Sequence, residues 1–393
     1  ENRVTVIDQN PHLVENIINI YDVMGVCGNG ASYDVQKEAD VEQADLLIAT
    51  TSSDEINILT CLVAKKMGVQ HTIARIRSPE YGRQLRFMRS ELGLSMAINP
   101  EAATAREIAR VLRFPTAMKL ESFSKGRLEL VEYRVAEHTA LDGTRLSELY
   151  RNFKVRVLIC AVARQGETII PSGDFTLRAG DKIYLTAAPR ELEKFFRLLG
   201  VFRARASSVM IVGASKMCYY LASELLEMGM SVKIIDQNEQ RCVEMSEKLP
   251  RALVIVGDGT DSELLSEEGI SQTDAFVAIT GLDEANILMA LSAAKQSGDC
   301  CKVVAKINRK SLLELVSTES LIDSVVSTGA VTTELILQYI RAMKNASASK
   351  VKTLHRIVDE KVEALEFSVT PDISFAGVPL RDLNLKRGLL LAG

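Results

Sequence analysis

The feature that most limits what this chain can become is a duplication. Val4-Thr5-Val6-Ile7-Asp8-Gln9-Asn10 returns as Val232-Lys233-Ile234-Ile235-Asp236-Gln237-Asn238. Gly28-Asn29-Gly30 returns as Gly257-Asp258-Gly259, and the block ending Asp54-Glu55-Ile56-Asn57 returns as one ending Asp283-Glu284-Ala285-Asn286. All three keep an offset of about 229 residues, so the chain is one unit written twice rather than a single long domain.

Within the second copy, short apolar runs alternate with helical spacing. Val209 to Val212 runs into Gly213, and Met217, Leu221, Leu225 and Leu226 then fall on one helix face. Ser231 to Asp236 predicts a strand, and Asn238 caps a helix reaching Leu249. Further strands are predicted from Ala252 to Val256, Ala275 to Thr280 and Lys302 to Ile307. Such alternation predicts βαβ units with right-handed crossovers and a parallel sheet buried on both faces. The first copy enters at its second strand, so by the offset its first strand and glycine turn are expected before residue 1, in a chain cut at the front.

Between the copies the texture becomes β-rich, with strands predicted at Leu128 to Val135, Val155 to Val162 and Lys182 to Ala187. Turns are marked by Asp142-Gly143, Pro171-Ser172-Gly173 and Ala179-Gly180-Asp181. A small α+β domain is expected there. Phe375-Ala376-Gly377-Val378-Pro379-Leu380 echoes Leu141-Asp142-Gly143-Thr144-Arg145-Leu146, which predicts a second such domain after a linker from Asn345 to Thr353. The expected fold is therefore α/β: two Rossmann-like, doubly wound parallel-sheet domains, each followed by a small α+β domain. The expected boundaries are 1–116, 117–200, 206–344 and 351–393.

Composition narrows the function classes. A net charge of -4 argues against nucleic acid as a partner, because phosphate-tracking surfaces need a basic excess. No run of about 18 apolar residues encodes a membrane span. The seven cysteines are irregularly spaced without C-x-x-C, which reads as free thiols in a reducing cytosol rather than a zinc site. His12, His71, His138 and His355 are scattered, so no metal site is expected.

The polar residues that could carry chemistry fall at predicted strand ends. Gly213-Ala214-Ser215-Lys216-Met217-Cys218 stands where a G-x-G-x-x-G dinucleotide fingerprint would stand, with Ser215 and Cys218 in place of the second and third glycines. Ser215 makes close approach of a pyrophosphate harder, and a turn without ligand explains the same residues. Asp236 follows Gly213 by about 20 residues, where a carboxylate accepts hydrogen bonds from ribose hydroxyls; Asp8 is its counterpart, and helix capping is the alternative. Asn29 and Asp258 sit between glycines after the third strand of each copy, and turn chemistry alone also accounts for them. Thr50 and Thr280, at the ends of the next apolar runs, complete the candidate ligand edge. Arg75 and Arg77, two residues apart, point the same way from a strand and could clamp phosphates, or else pair with carboxylates such as Glu80. The second copy has Lys306 and Asn308 there, which predicts unequal halves. H-E-x-x-H, G-x-S-x-G and the P-loop pattern are all missing, so no catalytic residues are expected and an NAD-dependent oxidoreductase is the alternative reading.

These motifs together resemble a known family. The paired D-Q-N strand ends, G-[ND]-G turns, D-E-x-N helix starts, Ala74-Arg75-Ile76-Arg77-Ser78-Pro79-Glu80-Tyr81, and Pro171-x-Gly173 with Leu177-x-x-Gly180-Asp181 are similar to the TrkA family. Those are peripheral NAD-binding subunits of Trk potassium uptake systems, built from tandem RCK (KTN) domains. The resemblance implies NAD(H), with ATP or ADP as further ligands, and a ring-forming regulatory subunit on the cytoplasmic side of a membrane-embedded potassium-translocating partner. It places Asp8 and Asp236 at the ribose, Asn29 and Asp258 beside the adenosine, Arg75 and Arg77 at the phosphates, and Gly213 in the glycine turn. A homo-oligomer is expected, a dimer or a tetramer. Ala105, Ile108, Ala109 and Leu112 share one helix face, which predicts docking through that helix and its counterpart from Thr332 to Ile340.

Overall fold

A computed structural model describes residues 3–81, 92–113, 119–123, 127–200, 206–298, 301–316, 322–345, 351–357, 362–367, 378–379 and 390–391. The chain falls into two compact units, Glu1–Ala105 and Arg106–Gly393.

In the first unit β1 (Thr5–Asp8) and β2 (Met24–Cys27) form a parallel pair. β3 (Leu46–Ala49), β4 (His71–Arg75) and β5 (Met96–Ile98) form a second parallel sheet. Helix Pro11–Ile20 starts as its sequence dictates: Asn10 accepts a hydrogen bond from the His12 backbone, and Pro11 needs no partner at the first position. Helix Asp54–Lys66 has Asp54 and Glu55 in its first turn and Lys65 and Lys66 in its last, each sign matched to the nearer end of the helix dipole. Ala49, Cys61, Ala64, Val69, Ala74 and Ile76 are core residues here. Small side chains on strand and helix let the two approach closely.

The second unit begins with the β-rich domain. β6 (Lys119–Phe123), β7 (Leu128–Arg134), β8 (Leu158–Arg164), β9 (Glu167–Ile169) and β10 (Lys182–Ala187) form one antiparallel sheet in the order β6-β7-β10-β8-β9. Helix Pro189–Leu198 lays Leu192, Phe195 and Phe196 into its core. β6 and β9 carry no strong alternation and were not expected. Asp181 of the L-x-x-G-D turn is buried and accepts two hydrogen bonds from the Arg164 guanidinium, each 2.7 Å, and one from the Arg178 backbone. Arg164 in turn lies 4.7 Å from the Phe175 ring centre. That turn motif is a pin holding the domain's hairpins, which explains it without a ligand.

Next comes the second Rossmann unit. β11 (Ser208–Val212), β12 (Ser231–Asp236), β13 (Leu253–Val256), β14 (Ala275–Ala278), β15 (Lys302–Lys306) and β16 (Ser324–Val326) form a six-stranded, all-parallel sheet. The order is β13-β12-β11-β14-β15-β16, the doubly wound arrangement of dinucleotide-binding sheets. All four residues of β14 are buried, as strands covered on both faces must be. In the first unit β1 and β3 do not pair among the described residues, whereas in the second β11 lies between their counterparts β12 and β14.

Finally β17 (Val351–Ile357) and β18 (Val362–Phe367) form an antiparallel hairpin. Its Val362 and Ala364 pack on Leu130, Ala161 and Tyr184, on the sheet face opposite the main core of the β-rich domain. The Phe375-Ala376-Gly377 motif with Leu380, residues 346–350 of the expected linker, and Cys300 lie outside the described residues.

One expectation is corrected. Ala105, Ile108, Ala109 and Leu112 are each 0% exposed within the single chain, so that face of helix Pro100–Arg113 is not free to dock a partner. Periodicity identifies an apolar face but not what covers it. In the counterpart helix Thr328–Asn345, Leu335, Ile336 and Ile340 are only half-buried and Leu337 is exposed.

Candidate functional site

The sheet reverses its strand order between β11 and β14, and ligands of open α/β sheets lie in the crevice at such a reversal. Gly213 occupies that point. Its φ is +112°, and a Cβ there would lie 3.0 Å from the Thr280 backbone nitrogen and 3.1 Å from the Ile279 carbonyl carbon and oxygen. Only glycine combines that backbone with that approach. One residue on, the Ala214 N–H donates to Asp236 Oδ2 at 2.7 Å, while the Asn238 N–H donates to Oδ1 at 2.9 Å. The carboxylate thus ties the glycine turn to the end of its own strand. Ser215 caps helix Lys216–Glu227 by accepting from the Cys218 backbone at 3.4 Å.

The next turn is built by packing and by a folded-back carboxylate. A Cβ on Gly259 would come within 2.2 Å of Val212 Cγ1, so this glycine lets the loop lie on β11. Asp258 is exposed and accepts from the Thr260 backbone at 2.8 Å and hydroxyl at 2.7 Å. The Thr260 N–H first, then its hydroxyl and the Gln237 side chain, hold the Asp258 carboxyl below the usual carboxylate range. Gly213, Ser215, Asp236, Asp258 and Thr280 therefore share one sheet edge, with Asp236 and Asp258 positioned by local hydrogen bonds.

Thr280 is fixed by Asn286. The Asn286 Oδ1 accepts from the Thr280 N–H at 2.9 Å and its hydroxyl at 2.7 Å, and Nδ2 donates to the Thr280 and Lys306 carbonyls at 3.3 and 2.9 Å. Asp283 Oδ2 accepts from the Asn308 and Arg309 backbones at 2.9 and 2.8 Å. The first copy repeats both devices. Asn57 binds Thr51 and the Arg75 carbonyl, and Asp54 Oδ2 accepts from the Arg77 and Ser78 backbones. The D-E-x-N helix starts are thus buried clamps joining the ends of two neighbouring strands. The sequence announced them as a repeated block, but only the fold shows what they grip.

Thr51, not Thr50, holds the position matching Thr280; Thr50 is exposed one residue earlier. Counting back from the paired asparagines finds the right threonine. Asp8 is half-buried and accepts from the Asn10 N–H through Oδ1, while Asn29 accepts from the Ala31 N–H at 3.0 Å, the same folded-back turn as at Asp258. Arg75 and Arg77 do lie on one side of their strand end. Their guanidinium groups donate to the Thr51 and Ser52 carbonyls, both at 2.6 Å. Arg77 also stands 4.0 Å from Asp54 and 3.9 Å from Glu101. Burial, then the Arg77 charge, lower the Arg75 proton affinity, with Glu101 and Asp54 opposing. Lys306 donates to the Thr280 carbonyl at 2.5 Å, as Arg75 does to Thr51. The halves are closer here than their letters suggest.

Among the described residues no group of His, Cys, Asp and Glu could hold a metal ion, and no helix is long and apolar enough to cross a membrane. Doubly wound units, used twice, with polar residues gathered at the carboxyl ends of their strands and a small α+β domain after the first, define a tandem Rossmann-type protein. The chain belongs to the TrkA family: the TrkA-N domain matches residues 1–100 and 209–328, and the TrkA-C domain matches 130–200. It is 31% identical over 399 residues to Trk system potassium uptake protein TrkA homolog 1 of Methanosarcina mazei, covering 100% of this chain and 86% of that protein. It is 32% identical over 391 residues to Trk system potassium uptake protein TrkA of Vibrio alginolyticus, covering 98% and 84%. Among solved structures, the GsuK RCK domain superposes with a TM-score of 0.66 at 20% identity, over 90% of this chain and 74% of that one. The GsuK channel bound to NAD gives the same TM-score at 21% identity, over 90% and 62%. At such identity the likeness is one of fold.

Proposed function

We propose that this chain is a nucleotide-sensing regulatory subunit of potassium transport and not an enzyme. It acts on the cytoplasmic side of the membrane through a membrane-embedded, Trk-type potassium-translocating partner. The observation that carries the nucleotide reading is the second copy's sheet edge, where Gly213 gives close backbone approach and Asp236, Asp258 and Thr280 stand around it. NAD(H) is the ligand of first choice, with ATP and ADP as competitors, in keeping with GsuK structures bound to NAD and to ADP. Asp236 and Asp8 take ribose hydroxyls. Arg75 and Arg77 exchange their loop carbonyls for phosphate oxygens, a trade of neutral for charge-assisted acceptors. The chain's domains are proposed to run 1–116, 117–200, 206–344 and 351–393.

Assembly into a homo-oligomeric ring is carried by faces still open in the single chain. Leu288 on helix Asp283–Ser297 and Leu315 on helix Lys310–Val316 are strongly exposed, and Leu59 repeats Leu288 in the first copy. A ligand shifts a two-state ring only by the difference in its affinity for the two states, and the coupling is reciprocal.

Calorimetry with NAD, NADH, ATP and ADP tests the reading. Asp236→Ala is expected to weaken the preferred nucleotide by about 1.5–3 kcal/mol, tenfold or more. Arg75→Ala is expected to do the same for a ligand of the first copy. Binding of none of the four to the wild-type chain overturns the proposal, and nicotinamide turnover with a substrate would favour an oxidoreductase instead.

A further inference from the structure

The two copies seat the first glycine of the turn alike, Gly28 on Val35 and Gly257 on Leu264, and differ at the second. In the second, Gly257 and Gly259 rest on apolar atoms: Leu264 lies under one, Val212 and Met289 under the other, and Leu265 fills the core beside them. In the first, by the same offset, Gln36 stands for Leu265 and Thr60 for Met289. Gln36 is 0% exposed, an unusual place for an amide. Its Nε2 donates to the Gly30 carbonyl at 2.7 Å and to the Thr60 carbonyl at 3.0 Å. The first bond holds the Gly28–Gly30 turn that presents Asn29; the second holds the middle of helix Asp54–Lys66.

We infer that Gln36 is a positioning residue, wired between the first copy's turn and helix Asp54–Lys66, that transmits nucleotide occupancy at Asn29 to that helix. The inference rests on the nucleotide reading above. Apolar contacts tolerate small sliding because they have no direction, whereas a hydrogen bond fails when its carbonyl turns away. Both Nε2 hydrogens are committed, one to each element, inside a fully buried site. A shift of the Gly30 carbonyl therefore either drags Gln36 and its helix contact along or strands a buried donor. The helix also bears exposed Leu59, so the signal ends at a surface open to a partner. The second copy has no directed link at the equivalent place, which makes the first copy the responsive half.

Hydrogen exchange read by mass spectrometry on the full chain tests this, with ADP and NAD as probes and calorimetry run alongside. Saturating nucleotide is expected to change exchange by at least about twofold in peptides from 54–66, and less in 283–297. Gln36→Met keeps the volume and removes both donors, and Gln36→Leu installs the second copy's own residue. In either variant nucleotide affinity is expected to stay within about threefold while the ligand-dependent change in 54–66 disappears. A purely structural glutamine would raise basal exchange and leave that ligand-dependent difference intact, overturning the inference. An unresponsive 54–66 in wild-type protein with nucleotide bound overturns it as well, whatever the variants do. If neither nucleotide binds the wild type, calorimetry reports that separately, and the nucleotide reading falls with the inference.

Discussion

Gly213→Ala adds one methyl group where both backbone and neighbours refuse it. The position sits at φ +112°, and an L-residue held there stores about 1–3 kcal/mol of strain. The methyl would also press to 3.0 Å from the Thr280 nitrogen and 3.1 Å from the Ile279 carbonyl, backbone atoms that cannot swing aside. Overpacking of that kind costs about 1–3 kcal/mol. Against this, alanine restricts the unfolded chain and returns about 0.4–1 kcal/mol. The net expectation is a loss of about 1–5 kcal/mol, centred near 3. Because the chain has no tryptophan, urea unfolding is best followed by circular dichroism, where the midpoint should fall with little change in slope. Gly257→Ala is the matched control: its Cβ would meet Leu264 Cδ2 at 2.5 Å, the end of a flexible side chain, so less than half the loss is expected. Displacement of the Thr280 backbone should also weaken nucleotide binding in Gly213→Ala by about tenfold. A loss below about 0.5 kcal/mol in Gly213→Ala, or a larger loss in Gly257→Ala, would refute the steric argument.

Asn286→Leu removes the hydrogen bonds to the Thr280 N–H and hydroxyl and to the Lys306 carbonyl at a part-buried strand end, so a loss of about 2–4 kcal/mol is expected in the same unfolding assay. Asp274 offers a pH test. Burial pushes its carboxyl up, but hydrogen bonds from the Ser207 and Ser208 N–H and hydroxyl groups outweigh this and leave it below its ordinary value. A depressed carboxyl contributes stability above its unfolded pKa and loses it as pH falls through the folded one. Asp274→Asn should therefore cost about 1–2 kcal/mol at neutral pH, a gap that closes as pH drops below about 4. Among the described thiols, Cys27 is exposed whereas burial pushes Cys61 up to about 12 and Cys218 higher still. A maleimide at neutral pH should label Cys27 in the native protein and spare Cys61 and Cys218, as peptide mapping would show.

Much of the architecture was legible in the sequence. The strand from Ser231 to Asp236 and the Asn238 cap were predicted as found, because a buried parallel strand and a capped helix each write a local signature. β6 and β9 left no such trace: three residues are too few to show a period of two in β9, and Lys119-Leu120-Glu121-Ser122-Phe123 does not alternate cleanly. The site was legible as a set of strand ends but not as a set of contacts. Asp236 and Asp258 read in the sequence either as ligand acceptors or as capping and turn residues, and the structure shows both turned partly onto their own loops. Arg75 and Lys306 differ in letter yet hold the same carbonyl position, because any long cation reaches it. Gln36 was silent: one polar letter in a short helix says nothing until burial is known.

The hairpin β17–β18 has a consequence for how the chain is made. Val362 and Ala364 finish a surface whose other contributors, Leu130, Ala161 and Tyr184, precede them by about 180–230 residues, and contacts so remote in sequence form late. During synthesis at roughly 5–20 residues per second, that face of the β-rich sheet waits uncovered for about 10–35 s after Tyr184 is made. An intervening Rossmann unit is synthesised within that interval. Nascent chains stalled before residue 362 should accordingly depend on chaperones more than chains released after residue 367.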